Sequence, residues 1–98
     1  MVTQIKWRKK ALRSIKETAT YLEHNFSFQT ANSFVESVTN TIDKVVKNPK
    51  SYRKAPNTKS VHFINIDKSR QIFYRLEGRT LIISAFFDTR QSPKKRPF

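Results

Sequence analysis

The sequence predicts an α+β domain in which an antiparallel sheet is packed on one face by an N-terminal helical hairpin. Two successive helical patterns of apolar residues occupy the first half of the chain. Residues 70–90 then form a strong β-hairpin signal, with two β-branched and aromatic runs on either side of Glu77-Gly78. The predicted order of elements is strand, helix, helix, strand, strand, strand.

The first three elements follow from periodicity. Alternation over Val2–Trp7 predicts a short strand. Residues 9–25 carry apolar side chains at helical spacing, namely Ala11, Leu12, Ile15, Ala19 and Leu22. This helix opens on the basic run 8–10, which opposes the helix dipole and suggests a use for the cluster beyond folding. Ser27 is the predicted N-cap of a second helix that runs to about Lys47.

The second half reads as loop and sheet. Asn48-Pro49 ends the second helix, and residues 51–59 form a basic loop that contains proline. Residues 60–66 are predicted to form a strand, followed by the β-hairpin. The short connection between the helices requires them to lie antiparallel.

A two-residue turn at Glu77-Gly78 fixes the predicted register of the β-hairpin. Ile72, Tyr74, Leu76, Leu81, Ile83, Ala85 and Phe87 then form the core face. The opposite face carries Gln71, Phe73, Arg75, Thr80, Ile82, Ser84, Phe86 and Asp88. We expect the first face to pack against Leu12, Ile15, Leu22, Phe34, Val38 and Ile42, and the second to bind anions.

The charge distribution favours a polyanionic partner. The 98 residues are expected to form a single domain, 1–98, with an irregular basic tail at 91–98. The net charge is +13, and residues 47–98 hold thirteen basic and three acidic residues, against seven and four in residues 1–46. Such a field favours RNA, DNA or an acidic protein.

Several classes of protein are disfavoured. There is no cysteine, and His24 and His62 lack the spacing of metal ligands, so neither metal nor cofactor is expected. The longest apolar run, 81–87, is too short to span a bilayer, and no signal peptide is visible. A cytoplasmic protein is the expectation.

An ordered set of short segments resembles the RelE/ParE toxin superfamily of bacterial type II toxin–antitoxin systems. The segments are Ile5-Lys6-Trp7, Tyr21-Leu22, Phe34-Val35, Asn48-Pro49, Tyr52-Arg53, Ile72-Phe73-Tyr74-Arg75, Leu81-Ile82-Ile83 and Phe86-Phe87-Asp88-Thr89-Arg90. The resemblance implies a growth-inhibiting, plasmid-stabilising toxin neutralised by an acidic antitoxin. ParE-like members inhibit DNA gyrase, whereas RelE-like members cleave messenger RNA on the ribosome without a metal.

Basic residues are the candidates for target or antitoxin binding: Arg53, Lys54, Lys59, Arg75, Arg90, Lys94 and Lys95. If the chain is an endoribonuclease, the catalytic candidates are Arg90, Arg75, His62 and Lys54. Arg90 resembles the arginine that RelE-like toxins carry at the end of the last strand. Asp88 is expected to orient Arg90, and Trp7 to pack in the core.

Proton transfer separates the two toxin mechanisms. RNA cleavage needs a base for the 2′-OH and an acid for the leaving oxygen. The tail after Arg90 has neither Tyr nor His, so only Tyr74, expected in the core, and His62, expected to reach the open face, remain. The absence of a Tyr or His from this tail favours the gyrase-inhibiting branch of the superfamily. The alternatives are the messenger RNA endonuclease and a non-toxic basic module that binds nucleic acid or protein.

Overall fold

The computed structural model describes residues 1–58 and 60–88. The elements are β1 (Gln4–Trp7), α1 (Lys9–Asn25), α2 (Phe28–Lys47), β2 (His62–Asn65), β3 (Arg70–Glu77) and β4 (Thr80–Asp88). The predicted order and the packing of a helical hairpin on a sheet are confirmed. Within the described residues, neither helix is long and apolar enough to cross a membrane.

The sheet has the strand order β1-β4-β3-β2. Strands β2, β3 and β4 pair antiparallel as predicted, but β1 pairs parallel with β4, so that Trp7 lies beside Ile83. The chain leaves β1 directly for α1, with the Arg8 N–H donating to the Ile83 carbonyl at 3.0 Å. The sheet is therefore mixed. The helical hairpin carries the chain from β1 at one edge of the sheet to β2 at the opposite edge.

The two helices begin very differently. Ser27 caps α2, as predicted, by accepting a 3.0 Å hydrogen bond from the Thr30 N–H through Oγ. Arg8 precedes α1 without a side-chain capping bond, and the first turn of α1 contains no acidic residue. A basic N-cap region opposes the helix dipole. Packing of the apolar face of α1, at Ala11, Ile15 and Leu22, has to offset this local cost.

The main core lies between the helices and the face of the sheet that they cover, which we call the helix face. It contains Phe34, Val38 and Val45 from α2, together with four strand residues that are 0% exposed, Ile72, Tyr74, Leu81 and Ile83. Trp7 packs against this core, as predicted. The prediction was wrong for Leu12, which is 37% exposed and lies beside the buried stripe of α1.

The turn of the β-hairpin lies one residue later than predicted. Glu77 pairs with Thr80, so the connecting residues are Gly78 and Arg79. Gly78 has φ 61°, a left-handed conformation that glycine adopts without steric cost. Leu76 therefore faces Leu81, and Tyr74 faces Ile83. The observed pairs differ from the predicted register by two residues, and side chains alternate between faces with a period of two. These four side chains therefore stay on the predicted face.

A β-bulge then exchanges the faces of the last part of β4. Tyr74 pairs with Ile83 and Phe73 with Ala85, so Ser84 is the extra residue. Beyond it, Phe86 joins the main core, whereas Ala85 and Phe87 lie on the opposite face. The predicted faces of Ala85, Phe86, Phe87 and Asp88 were therefore wrong, because strict alternation fails at an inserted residue.

Candidate functional site

The face of the sheet opposite the helices, which we call the open face, is partly covered. Ala55, Phe73 and Phe87 form a second buried cluster there, with Val61, Phe63 and Ala85 packed around it. The loop before β2 folds back to build this cluster: the Ala55 N–H donates to the Val61 carbonyl at 2.7 Å, and the Phe63 N–H to the Arg53 carbonyl at 2.8 Å. The cover leaves Arg75 accessible, with a side chain that is 33% exposed.

Next to this cluster lies a groove of about 470 Å³, the basic groove. It forms where β1 ends beside Ile83 while β4 continues to Asp88. Among the described residues, the cations that line it are Arg8, Lys10 and Arg75, together with Ser14, Val61 and Ser84, and no carboxylate does. The uncapped basic start of α1, unfavourable for the helix, thus contributes two of these positive charges.

Two polar atoms at the basic groove lack a hydrogen-bond partner among the described residues. They are Nε of Arg75 and Oγ of Ser84, the bulge residue. The other end of the guanidinium is engaged, since Nη2 of Arg75 lies 2.8 Å from Oε1 of Glu77. A buried donor without a partner is costly. Both donors line the basic groove, where a phosphate or carboxylate oxygen is the complementary acceptor.

Only some of the predicted site residues meet at this groove. Arg75 lies on the open face, as predicted. Arg53 is exposed and alternates with Lys54, which pairs across a β-bridge with His62. Lys54 therefore shares the side of His62 rather than that of Arg75. Four further candidates, Lys59, Arg90, Lys94 and Lys95, lie outside the described residues.

His62 lies on the helix face, and the expectation that it reaches the open face was wrong. It pairs with Tyr74, and directly opposed residues of an antiparallel pair share a face. The two rings stack at 5.4 Å between centroids with an interplanar angle of 16°. Nδ1 of His62 is 2.9 Å from the Tyr52 carbonyl oxygen. These contacts make it a packed histidine at the edge of the core.

Tyr74 is a core residue, as predicted. It is 0% exposed, and its hydroxyl donates a 2.6 Å hydrogen bond to the Pro49 carbonyl. Burial, with a smaller contribution from Tyr52, raises the pKa of Tyr74 to about 12. A phenol with such a pKa stays protonated at neutral pH, and its proton is directed into the domain.

Asp88 also lies on the helix face rather than beside the predicted site on the open face. Its Oδ2 is 3.3 Å from Nε of Arg70, at an ion-pair distance without hydrogen-bond alignment. The Arg70 guanidinium lies over the Phe34 ring, 5.1 Å from its centroid, and contacts Oδ2 of Asp67 at 2.8 Å. Arg70 was not among the predicted site residues. Its pairing with Asp88 depends on the bulge at Ser84, which shifts the register of β4 against β3.

Asp67 organises the turn between β2 and β3. Its Oδ1 accepts hydrogen bonds from the Ser69 and Arg70 N–H groups at 2.9 and 3.0 Å. Partial burial raises the pKa of Asp67, but these bonds and the Arg70 guanidinium outweigh it, so the pKa lies below its usual value. The carboxylate is therefore ionised throughout the neutral range.

Solved structures share this fold. A chain of the chromosomal ParDE TA system from P. aeruginosa superposes with a TM-score of 0.74 at 12% identity, covering 89% of this chain and 96% of that one. The YoeB dimer from Staphylococcus aureus gives 0.67 at 13% identity, covering 89% and 97%. At these identities the likeness concerns the fold alone.

The family is shown by the sequence. Residues 5–93 match the family described as the ParE toxin of the type II toxin–antitoxin system parDE. The chain belongs to this family, which confirms the resemblance to the RelE/ParE superfamily. A comparison with curated proteins finds no match.

Proposed function

We propose that this ParE-family toxin arrests bacterial growth by inhibiting DNA gyrase, and that it acts through binding rather than RNA cleavage. The observation that carries the proposal is the position of His62 and Tyr74. Both are engaged on the helix face, away from the cations of the basic groove. The sheet separates His62 and Tyr74, the candidate acid–base groups, from Arg75. This arrangement favours a binding role over RNA cleavage.

The chemistry of the basic groove supports binding. RNA cleavage without a metal needs a group that accepts the 2′-OH proton and one that protonates the leaving oxygen. Arginine is always protonated in proteins, so Arg8 and Arg75 supply charge and hydrogen-bond donors but no base. Lys10, the third cation, projects from an exposed first helical turn. The groove is thus suited to hold an anion in place.

The same groove is the proposed docking site for an acidic segment of the cognate antitoxin. The net charge of +13 opposes the compact state through self-repulsion, and an acidic partner relieves it. A carboxylate entering the groove meets the donors of Arg75 and Ser84 that lack internal partners. Arg53, Lys59, Arg90, Lys94 and Lys95 are proposed to extend this contact. We propose that toxin, antitoxin and gyrase meet in the cytoplasm.

The test measures gyrase supercoiling and ribosome-programmed messenger RNA cleavage with the same purified chain. We expect inhibited supercoiling and intact messenger RNA. Arg75→Gln should raise the inhibitory concentration by about tenfold, equivalent to about 1.4 kcal/mol of binding. Arg79→Gln is the matched control, because Arg79 is an exposed turn residue with the same charge outside the basic groove. Arg90→Ala tests, in the same assays, the predicted catalytic candidate that lies outside the described residues.

Two results contradict the proposal. Codon-positioned cleavage by the wild type, abolished by Arg75→Gln or Arg90→Ala, identifies a messenger RNA endonuclease. Absence of both activities, together with harmless overexpression, identifies a non-toxic binding module.

A further inference from the structure

The charge of this chain is sharply segregated. Residues 17–43 contain four carboxylates, Glu17, Glu23, Glu36 and Asp43, and no Lys or Arg. All twenty basic residues therefore lie in the remainder of a chain whose net charge is +13. This segment forms most of α1 and α2 and the connection between them. A strongly basic chain thus contains one continuous acidic segment.

A second groove, of about 560 Å³, is lined by uncharged residues of this segment together with Asp67, Arg70 and Asp88, and we call it the acidic groove. Its apolar wall is formed by Tyr21, Leu22, Phe26 and Phe34. The Tyr21 and Phe26 rings meet edge-to-face at 6.5 Å, although the residues are 52% and 66% exposed. An exposed aromatic pair beside a concave surface is typical of a binding surface.

Among the described residues, those on the polar wall of the acidic groove carry two negative charges and one positive charge. Asp67 and Asp88 line it with Arg70 between them, so two carboxylates face one guanidinium. The lowered pKa of Asp67 keeps that carboxylate ionised. A suitable occupant combines cationic side chains, for the carboxylates, with an apolar or aromatic group, for the wall of Tyr21 and Phe26.

We propose that the occupant is the segment 89–98 of this chain. The segment follows directly from Asp88, which itself lines the acidic groove. It carries four cations, Arg90, Lys94, Lys95 and Arg96, and the aromatic Phe98. Ten residues reach about 33 Å when extended, more than enough to cross a groove that begins at the preceding residue. Attachment to Asp88 gives the segment a high effective concentration at the groove.

The proposal has a consequence for partners. Cations held in the acidic groove lie on the helix face, so Arg90, Lys94 and Lys95 can extend an antitoxin contact at the basic groove only after the tail has left the acidic groove. A partner segment that enters the acidic groove has to displace the tail. The proposal does not depend on the gyrase target, since it concerns a contact within the chain.

The test uses paramagnetic relaxation in the full chain. The sequence contains no cysteine, so Ser92→Cys provides a unique site for a nitroxide label in the tail. We expect loss of amide signal intensity at Tyr21, Phe26 and Phe34, with little loss at Arg8, Lys10 and Arg75. Raising the salt concentration to about 1 M, where the Debye length is about 3 Å, should restore the signals.

Matched variants separate docking from mere proximity, since any tail attached to Asp88 spends time near the acidic groove. Phe26→Ser removes an exposed ring that lines the groove, and we expect it to restore the amide signals. Phe28→Ser is the control, because Phe28 is 69% exposed and does not line the groove. Both positions are exposed, so both variants should retain the fold.

Three results overturn the proposal. One is equal signal loss in the Phe26→Ser and Phe28→Ser chains. Another is signal loss centred on the basic groove. The third is signal loss in a mixture of isotope-labelled unmodified chain with spin-labelled chain, which would show that a second copy supplies the tail.

Discussion

The two faces of the sheet differ in how their polar side-chain atoms are paired with hydrogen-bonding or charged partners. On the helix face, Ile72, Tyr74 and Ile83 are 0% exposed, and the Tyr74 hydroxyl has its acceptor. On the open face, Arg75 and Ser84 each retain a polar atom without a hydrogen-bond partner among the described residues. Nε of Arg70, on the helix face, also lacks a hydrogen-bond partner among the described residues, but it lies 3.3 Å from the Asp88 carboxylate. The donors of Arg75 and Ser84 line a groove in which no described residue supplies a carboxylate, so they mark the face available to a partner.

The largest effect should come from removing an aromatic ring on the helix side. Phe34 is 5% exposed and packs edge-to-face on Phe86 at 5.8 Å between centroids. Phe34→Ala should lower the free energy of unfolding by about 3–5 kcal/mol. Urea denaturation measures it, with exposed Phe28→Ala, expected within about 0.5 kcal/mol of wild type, as the control. Equal effects in the two variants would contradict the assigned core.

The next effect is a loss of stability at alkaline pH. The pKa of Tyr74 is raised from 10.0 to about 12, so the folded state retains the proton that the unfolded state loses. The stabilisation is complete below pH 10 and should fall by about 2–3 kcal/mol as the pH rises to 12. Lysines titrate in the same window, so the measured quantity is the difference between wild type and Tyr74→Phe. A constant difference would refute the assigned shift.

A smaller loss should follow Tyr74→Phe at neutral pH. The substitution leaves the Pro49 carbonyl without its 2.6 Å donor while keeping the ring that stacks on His62. We expect a cost of about 1–2 kcal/mol, measured by thermal unfolding. Tyr21→Phe, which changes an exposed hydroxyl on α1, serves as the control. Unchanged stability of the Tyr74→Phe variant would show that water replaces the lost hydrogen-bond donor.

The smallest effect should be that of Arg75→Gln on stability. Its ion pair with Glu77 joins side chains that are 33% and 58% exposed, and such pairs contribute about 0–1 kcal/mol. We expect a change below about 0.5 kcal/mol by urea denaturation. A loss of several kcal/mol would place Arg75 among the structural residues of the domain and remove the contrast between the faces.

The sequence predicted the elements and their order because their periodicities and caps are local. The Ser27 cap and the apolar stripe of α2 are examples. The bulge at Ser84 was not predictable, because a one-residue insertion leaves no periodic trace in a run as apolar as 81–87. For that reason Phe86, Phe87 and Asp88 were predicted on the wrong faces of the sheet.

Site prediction failed where it depended on distant contacts. His62 looked free to reach the open face, since its stacking on Tyr74 depends on the pairing of β2 with β3. The basic run before α1 was the informative signal, because its conflict with the helix dipole indicated a role beyond folding. The roles of Lys59, Arg90, Lys94 and Lys95 stay predictions.

The parallel pairing of β1 with β4 also determines when this domain can exist during translation. A nascent chain emerges from its N-terminus, and Gln4–Trp7 has no strand to pair with until Thr80–Asp88 has been made. The apolar faces of α1 and α2 likewise wait for the β-hairpin that covers them. The domain therefore acquires its sheet, and with it the basic groove, only after Thr80–Asp88 has left the ribosome.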